Sequence, residues 1–456
     1  MTVLIGIVSM ALITRTLGTE QFGEYTTALT FLQFFAVLID FGLALTIIVM
    51  ISEVNVDIER VVGNFFGLRL LSSCILFSLA PITVLLFPWS DTIKQAVFIG
   101  AFAYVLMGSA TMLNGIFQRF ECVWRSSLAE LLNRIVLVFL IVCFAYLHLG
   151  VVAFVSASII SNLVWLFCMI SFAKPYVRIR PLFEKKIWGQ ILSRSWPIAL
   201  SILFNLMYLK GDLLLLAYFR TQSEVGLYGS AYRIIDVLTV IPHLFMGLLI
   251  PSLVFAWSTG NKEQFHKKLS RTFDFFMMIA IPIMVGTQLC GVKLLEFISG
   301  KEFTGGGEIL KILILAVIGI FIGTLFGYLV VSLHKQRVMI FGYATAAILT
   351  LIGYLYFIPI YGMQGAAWMT VFSETFIALA TFAVVYHTVR ATPSLTIFLK
   401  SCLAALFMYV FLRIIPEWHV VFQILIGGIA YLSVLVLVKA LRPKDLHILF
   451  PKKLPS

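Results

Sequence analysis

The residues of this chain that could do chemistry are charged side chains stranded inside long apolar runs. Arg69 stands alone in Val61–Phe87, Glu130 and Arg134 share Leu128–Leu147, and Lys210 and Asp212 lie in Ile191–Phe219. Arg233 and Asp236 fall in Val225–Trp257, Asp274 in Phe273–Ile298, Glu374 in Ala366–Tyr386 and Asp40 in Tyr25–Ile51. A charge at the centre of a membrane-spanning helix costs about 2.5–3.5 kcal/mol on insertion scales, so each one retained is expected to face a partner or a wet cavity. Glu130 and Arg134 are four apart in acid-first order, the spacing of an ion pair on one helical face. Lys210 and Asp212, two apart, point to different faces; Asp212 can reach Arg233 on the next, antiparallel helix. Arg69 has no acid three or four positions away. It either pairs with an acid of another helix, such as Glu130 or Asp40, or receives an anion that must leave water, for which the guanidinium offers charge and a bidentate fork.

Other chemistry is poorly provided for. The six cysteines, Cys74, Cys122, Cys143, Cys168, Cys290 and Cys402, show no C-x-x-C spacing and no histidine at ligand spacing, so neither a metal nor a cofactor is expected. Gly305–Gly307 lacks the Lys-Ser/Thr of a phosphate loop and is expected to be a flexible turn. No catalytic set is predicted. Trp89, Trp188 and Trp418, near helix ends, are expected to be interface anchors.

The elements that must position these charges follow from composition. Apolar residues make up 61% of the 456 and charged residues 12%, about half the charged share of a soluble domain. Continuous apolar runs, rather than alternating ones, predict an all-α polytopic membrane protein. The runs near Thr2–Thr14, Tyr25–Ile51, Val61–Phe87, Ile93–Phe117, Leu128–Leu147 and Val151–Phe172 form a first set of six. Ile191–Phe219, Val225–Trp257, Phe273–Ile298, Ile309–Leu333, Val338–Ile358 and Ala366–Tyr386 form a second, and Ile397–Ile415 and Val420–Leu441 complete about fourteen transmembrane helices. The first run is short for a complete crossing.

The formal charge of +12 sits between the apolar runs, where membrane orientation explains it and nucleic acid does not. Even-numbered connections carry Arg60; Arg119 and Arg125; Lys174, Arg178, Arg180, Lys185 and Lys186; Lys262, Lys267, Lys268 and Arg271; and Lys335 and Arg337. The tail adds Arg442, Lys444, Lys452 and Lys453, while odd connections hold isolated cations such as Arg15, Lys94, Arg220, Lys301 and Arg413. This asymmetry places the even loops and both termini in the cytoplasm, and the chain is expected in the inner (plasma) membrane.

An internal repeat is also legible. Phe22-Gly23-Glu24-Tyr25 with Ala28 recurs as Val225-Gly226-Leu227-Tyr228 with Ala231, and Leu149-Gly150-Val151-Val152-Ala153 as Tyr361-Gly362-Met363-Gln364-Gly365. Both offsets are about 200 residues, the length of a six-helix lobe and not of a solenoid repeat. The expected organisation is an amino-terminal lobe over 1–173, a basic cytoplasmic linker over 174–190 and a second lobe over 191–390. Two extra helices and a basic tail over 391–456 complete it.

The run from Thr14-Arg15-Thr16-Leu17-Gly18 through Gly23-Glu24-Tyr25 to Asp40-Phe41-Gly42-Leu43 resembles the opening pattern of the oligosaccharide and polysaccharide (O-antigen, Wzx-like) flippases of the MOP (multidrug/oligosaccharidyl-lipid/polysaccharide) superfamily. Ser195-Trp196-Pro197 with Gly211-Asp212, Gly226-Leu227-Tyr228 with Tyr232-Arg233-Ile234, Gly300-Lys301-Glu302-Phe303 and Gly362-Met363-Gln364-Gly365-Ala366-Ala367-Trp368 are similar to later segments of that family. Members usually have more residues ahead of the Arg/Leu-Gly motif, and Met1–Thr14 lacks the acid that related multidrug antiporters often carry in their first helix.

The resemblance implies a MATE-like fold and transport of undecaprenyl-pyrophosphate-linked oligosaccharide by alternating access, with membrane lipids, a polysaccharide polymerase and export machinery as partners. On that reading Arg69, Arg134, Lys210 and Arg233 are substrate-binding candidates, and Asp40, Glu130, Asp212, Asp236 and Glu374 are coupling or ion-pair candidates. Two other functions stay open: a cation-coupled multidrug antiporter on the same fold, and a membrane polymerase or ligase acting on lipid-linked sugar. The short outward connections disfavour the enzyme.

Overall fold

The computed structural model describes residues 2–53, 56–415 and 418–440; Arg442, Lys444, Lys452 and Lys453 of the expected basic tail lie outside them. The described chain is helical because, in hydrocarbon, a helix satisfies every backbone N–H and C=O within its own segment. In order the helices are α1 (Thr2–Asp40), α2 (Leu43–Ile51), α3 (Ile58–Val84), α4 (Asp91–Met112), α5 (Asn114–Arg119), α6 (Val123–Tyr146), α7 (Val151–Ala173) and α8 (Lys185–Phe219). There follow α9 (Gln222–Ser258), α10 (Lys262–Ser299), α11 (Thr304–Leu313), α12 (Ala316–Ser332), α13 (Gln336–Val389), α14 (Thr396–Ile414) and α15 (Val420–Leu437).

Among the described residues, eleven helices are long and apolar enough to cross a membrane, or twelve when α11 and α12, bent by 49°, count as one broken span. The runs Ile5–Ile51 and Gln336–Val389 hold 47 and 54 residues, each long enough at 1.5 Å per residue to cross a ~30 Å core twice. Each is divided by a glycine in a conformation closed to most side chains: Gly18 at φ 69° in α1 and Gly362 at φ 56° in α13. Divided there, the helices match the fourteen expected runs, and the chain is a multi-pass membrane protein. The first helix continues past Thr14 to the kink at Gly18.

The chain forms two compact units. The first holds Met1–Gly229, Ile298–Glu302 and Ala347–Ala366, and the second holds Ser230–Phe297, Phe303–Ala346 and Ala367–Ser456. A core of the first is built on Phe65, Leu113, Ile116, Phe117, Trp165 and Met169. In the second, the last two helices are held by Tyr431, whose hydroxyl donates to the Met278 carbonyl at 3.0 Å.

Two local expectations change. Gly305–Gly307 is not a flexible turn but the first turn of α11, and a Cβ at Gly307 would come within 2.5 Å of the Val292 Cα on α10. Trp89 is buried, with its indole N–H donating to the Ala217 carbonyl at 2.9 Å; it joins helices instead of anchoring an interface. Within the expected linker over 174–190, α8 already begins at Lys185, and the stretch before it is strapped onto α3.

That strap has its own chemistry. The Leu182 N–H donates to the Gly63 carbonyl, the Glu184 N–H to Asn64 Oδ1 and the Trp188 indole to the Asn64 carbonyl, at 2.9, 2.9 and 3.1 Å. Arg60 Nε donates to both Glu184 oxygens at 2.9 and 3.1 Å. Hydrogen bonds from Arg60, then Asn64, pull the Glu184 carboxyl down to about 2. Because this pKa lies below its unfolded value, the clasp's contribution is complete above the ordinary glutamate range and is lost only as pH falls through about 2. Glu184→Gln is expected to loosen the strap, so trypsin should cut after Arg178 several-fold faster at neutral pH. Unchanged cleavage would mean that the backbone and Asn64 contacts hold the strap alone.

Candidate functional site

A buried ion pair forms where a helix is broken. α1 ends at Asp40, Phe41 and Gly42 follow at φ 46° and 74°, and α2 resumes at Leu43. The break frees backbone donors, and the Asp40 carboxylate accepts one of them from the Ala44 N–H at 3.5 Å. The same carboxylate faces Arg69 of α3, whose Nη1 lies 3.1 Å away. The Arg69 side chain is only 4% exposed. It fits because α4 presents Gly108, where a Cβ would coincide with the guanidinium. Arg69 Nε and the hydroxyl of Ser73, one turn further along α3, are buried without a hydrogen-bond partner among the described residues. Of the two partners expected for Arg69, the structure gives Asp40 and not Glu130.

The other candidates are distributed as follows. Glu130 and Arg134 form the expected i,i+4 pair on α6 at 3.8 Å, with side chains 44% and 42% exposed. Asp212 is fully buried and accepts the Tyr228 hydroxyl at 2.5 Å. Arg233 faces Asp236, three residues on along α9, at 3.9 Å, with exposures of 52% and 36%. Lys210 is half-buried and engaged. Glu374 is buried on α13 with no ion pair among the described residues, and its segment packs against Gly319 of α12. Asp274 on α10 keeps a buried, unpartnered Oδ1 among the described residues.

The arrangement can hold charge inside apolar helices in two ways: shut away and paired, as at Arg69 and Asp40, or uncovered and loosely paired, as at Arg134 and Arg233. A family model described as a polysaccharide biosynthesis protein matches residues 1–257. The chain belongs to this family.

Known proteins resemble the chain along most of its length. It is 24% identical over 375 residues to the probable low-salt glycan biosynthesis flippase Agl15 of Haloferax volcanii, covering 79% of this chain and 75% of that one. The structure of the lipid II flippase MurJ in an inward closed conformation superposes with a TM-score of 0.82 at 15% identity, covering 98% of this chain and 97% of that one. An inward-facing MATE family multidrug resistance transporter of the MOP superfamily gives 0.69 at 14% identity over 86% of this chain and 95% of that one. The fold is therefore that of the MOP transporters, as the sequence resemblance implied.

Sequence reasoning missed Gly108 and Tyr228, which seat the Arg69 guanidinium and receive the Asp212 carboxylate. A glycine among apolar residues on α4 was the only trace of the first. The second lay in the Gly226-Leu227-Tyr228 segment, read there as a repeat signature and not as a hydrogen-bond donor.

Proposed function

We propose that this chain flips undecaprenyl-pyrophosphate-linked oligosaccharide repeat units from the cytoplasmic to the outer leaflet of the inner (plasma) membrane by alternating access, for O-antigen or exopolysaccharide synthesis. The observation that carries the reading is the exposure of Arg233 and Arg134, about half uncovered within helices that are otherwise apolar. A cation left uncovered at membrane depth faces water sooner than hydrocarbon, and such a wet cation suits a pyrophosphate that must cross. Family membership and the flippase name of the Haloferax relative support the same reading. Arg134, Lys210 and Arg233 are the cations assigned to the headgroup, and Arg69 is assigned to its ion pair with Asp40. The termini face the cytoplasm, and a polymerase and export machinery receive the product.

A hydrogen bond to a charged group contributes about 1.5–3 kcal/mol, so Arg233→Gln is expected to slow transport about ten- to a hundredfold with normal protein abundance. Arg233→Lys should recover part of the rate, since charge returns without the planar fork. The assay is flipping of a fluorescent undecaprenyl-pyrophosphate disaccharide in vesicles. Full rates in both Arg233→Gln and Arg134→Gln would remove these cations from the path, and drug efflux by a chain that moves no lipid-linked sugar would favour the antiporter.

A further inference from the structure

The strap over α3 turns its apolar and its charged side chains opposite ways. Tyr176, Val177, Ile179, Ile187 and Trp188 pack against the core of the first compact unit. Lys174, Arg178, Arg180, Lys185 and Lys186 are exposed, and among the described residues none of the five is in an ion pair. The one acid of the segment, Glu184, is turned inward, where its oxygens accept Arg60 Nε at 2.9 and 3.1 Å and Asn64 Nδ2 at 3.2 Å. Glu59 of α3 meets the strap through the Arg178 backbone N–H at 3.4 Å and leaves the guanidinium outside. The strap therefore presents cations that its own segment does not neutralise.

Phe183 departs from the pattern. It is 63% exposed, with its ring edge-on to that of Trp188 at 5.8 Å. A second aromatic projects from the neighbouring connection, where Trp124, at the start of α6, is 64% exposed. Tyr176 joins the two patches into one surface: its ring stacks on Phe120 at 4.9 Å, and the Arg125 guanidinium lies over it at 5.1 Å.

The level of this surface is set by the helices beneath it. The strap crosses α3 at Gly63 and Gly67, where Cβ atoms would stand 2.6 and 2.1 Å from the Arg180 and Leu182 carbonyl oxygens. These glycines lie within the first ten residues of α3, about 8–14 Å along its axis. α7 ends at Ala173, just before the strap, and α6 begins at Val123. The surface thus stands where apolar spans give way to headgroups, a zone about 5–8 Å deep on each side of the hydrocarbon. Hydrocarbon accepts the rings and rejects the cations, while a soluble acidic partner takes the cations and gains little from rings at that level. A layer of anionic headgroups takes both.

We propose that this surface, from Lys174 to Lys186 with Phe183 and Trp124 as anchors, binds the headgroups of anionic phospholipids in the leaflet it faces, so that the strap is held to the bilayer as well as to α3. The inference is independent of the flippase reading. By the Lys/Arg alternation the leaflet is the cytoplasmic one.

Full-length Phe183→Cys carrying a bimane ring in place of the phenyl tests it, in vesicles of phosphatidylcholine alone and of equal parts phosphatidylcholine and phosphatidylglycerol. The chain with its native cysteines, treated alike, supplies the background. Each cation near an anionic surface shifts docking about fivefold, so acrylamide quenching of the probe is expected to fall at least about fivefold when phosphatidylglycerol is present, while quenching by a nitroxide lipid at headgroup level rises. Salt at about 0.5 M, where screening acts over about 4 Å, should reverse both changes. The same labelled chain with Arg178→Gln, Lys185→Gln and Lys186→Gln should accumulate normally, since these side chains are exposed, and should lose the response to phosphatidylglycerol. A probe equally open to acrylamide in both vesicles would overturn the proposal and leave the strap to a soluble partner. A probe equally shielded in both would overturn it too, because the rings alone would then hold the strap to the bilayer.

Discussion

Replacing Arg69 by alanine is expected to lower the amount of protein in the membrane by about an order of magnitude while leaving the rate per surviving molecule near normal. Removing one partner of a buried ion pair costs about 3–5 kcal/mol, because the other charge is left uncompensated, and total stability is itself only about 5–15 kcal/mol. The uncompensated charge here is Asp40, held at the break between α1 and α2. Gly108→Val should have the same effect from the opposite side, since its Cβ would occupy the place of the guanidinium. Replacing both charges by apolar residues of similar volume, Arg69→Met with Asp40→Leu, should recover most of the abundance, as exchange of whole buried pairs often does. Immunoblots of membrane fractions and flipping per molecule decide the matter together. Normal abundance with lost transport in Arg69→Ala would return Arg69 to the substrate path.

The fold was legible because lipid leaves the chain few options. Apolar runs about 20 residues long, cut by polar breaks, define helices whatever their side chains touch, and the Gly18 and Gly362 kinks fall where the runs were divided. The i,i+4 pair Glu130–Arg134 was legible for a similar reason, since one helix fixes both partners. The partner of Arg69 was not. Choosing Asp40 over Glu130 requires knowing which helices are neighbours and where α1 breaks, and that depends on packing between elements far apart in sequence. The reach of Asp212 failed to settle for the same reason: its hydrogen bond from Tyr228 and the local pairing of Arg233 with Asp236 both turn on side-chain direction along α9. The strap over α3 was hidden in the cationic look of residues 174–190, because its hold comes from backbone groups and from Asn64, a residue with no sequence prominence.

The second large effect is expected at Glu374. This side chain is 7% exposed inside α13, and among the described residues no cation is within ion-pair reach. An ionised carboxylate at that depth costs several kcal/mol unless something neutralises it. Arg69 shows how the chain meets that cost when a charge is structural, with a partner 3.1 Å away; Glu374 has none. A carboxyl that must be neutralised by a proton or a small cation from solution is suited to coupling transport to an ion gradient, the role proposed for it here. Glu374→Gln imitates the neutral form at almost the same volume, so the protein should accumulate normally while flipping falls at least tenfold and ceases to respond to an imposed proton or sodium gradient. Glu374→Asp should keep the gradient response at a lower rate, since the carboxyl survives on a shorter arm. Flipping by the glutamine variant that still rises with the gradient, as in the unaltered chain, would exclude Glu374 from coupling and leave it a buried acid held neutral for packing alone.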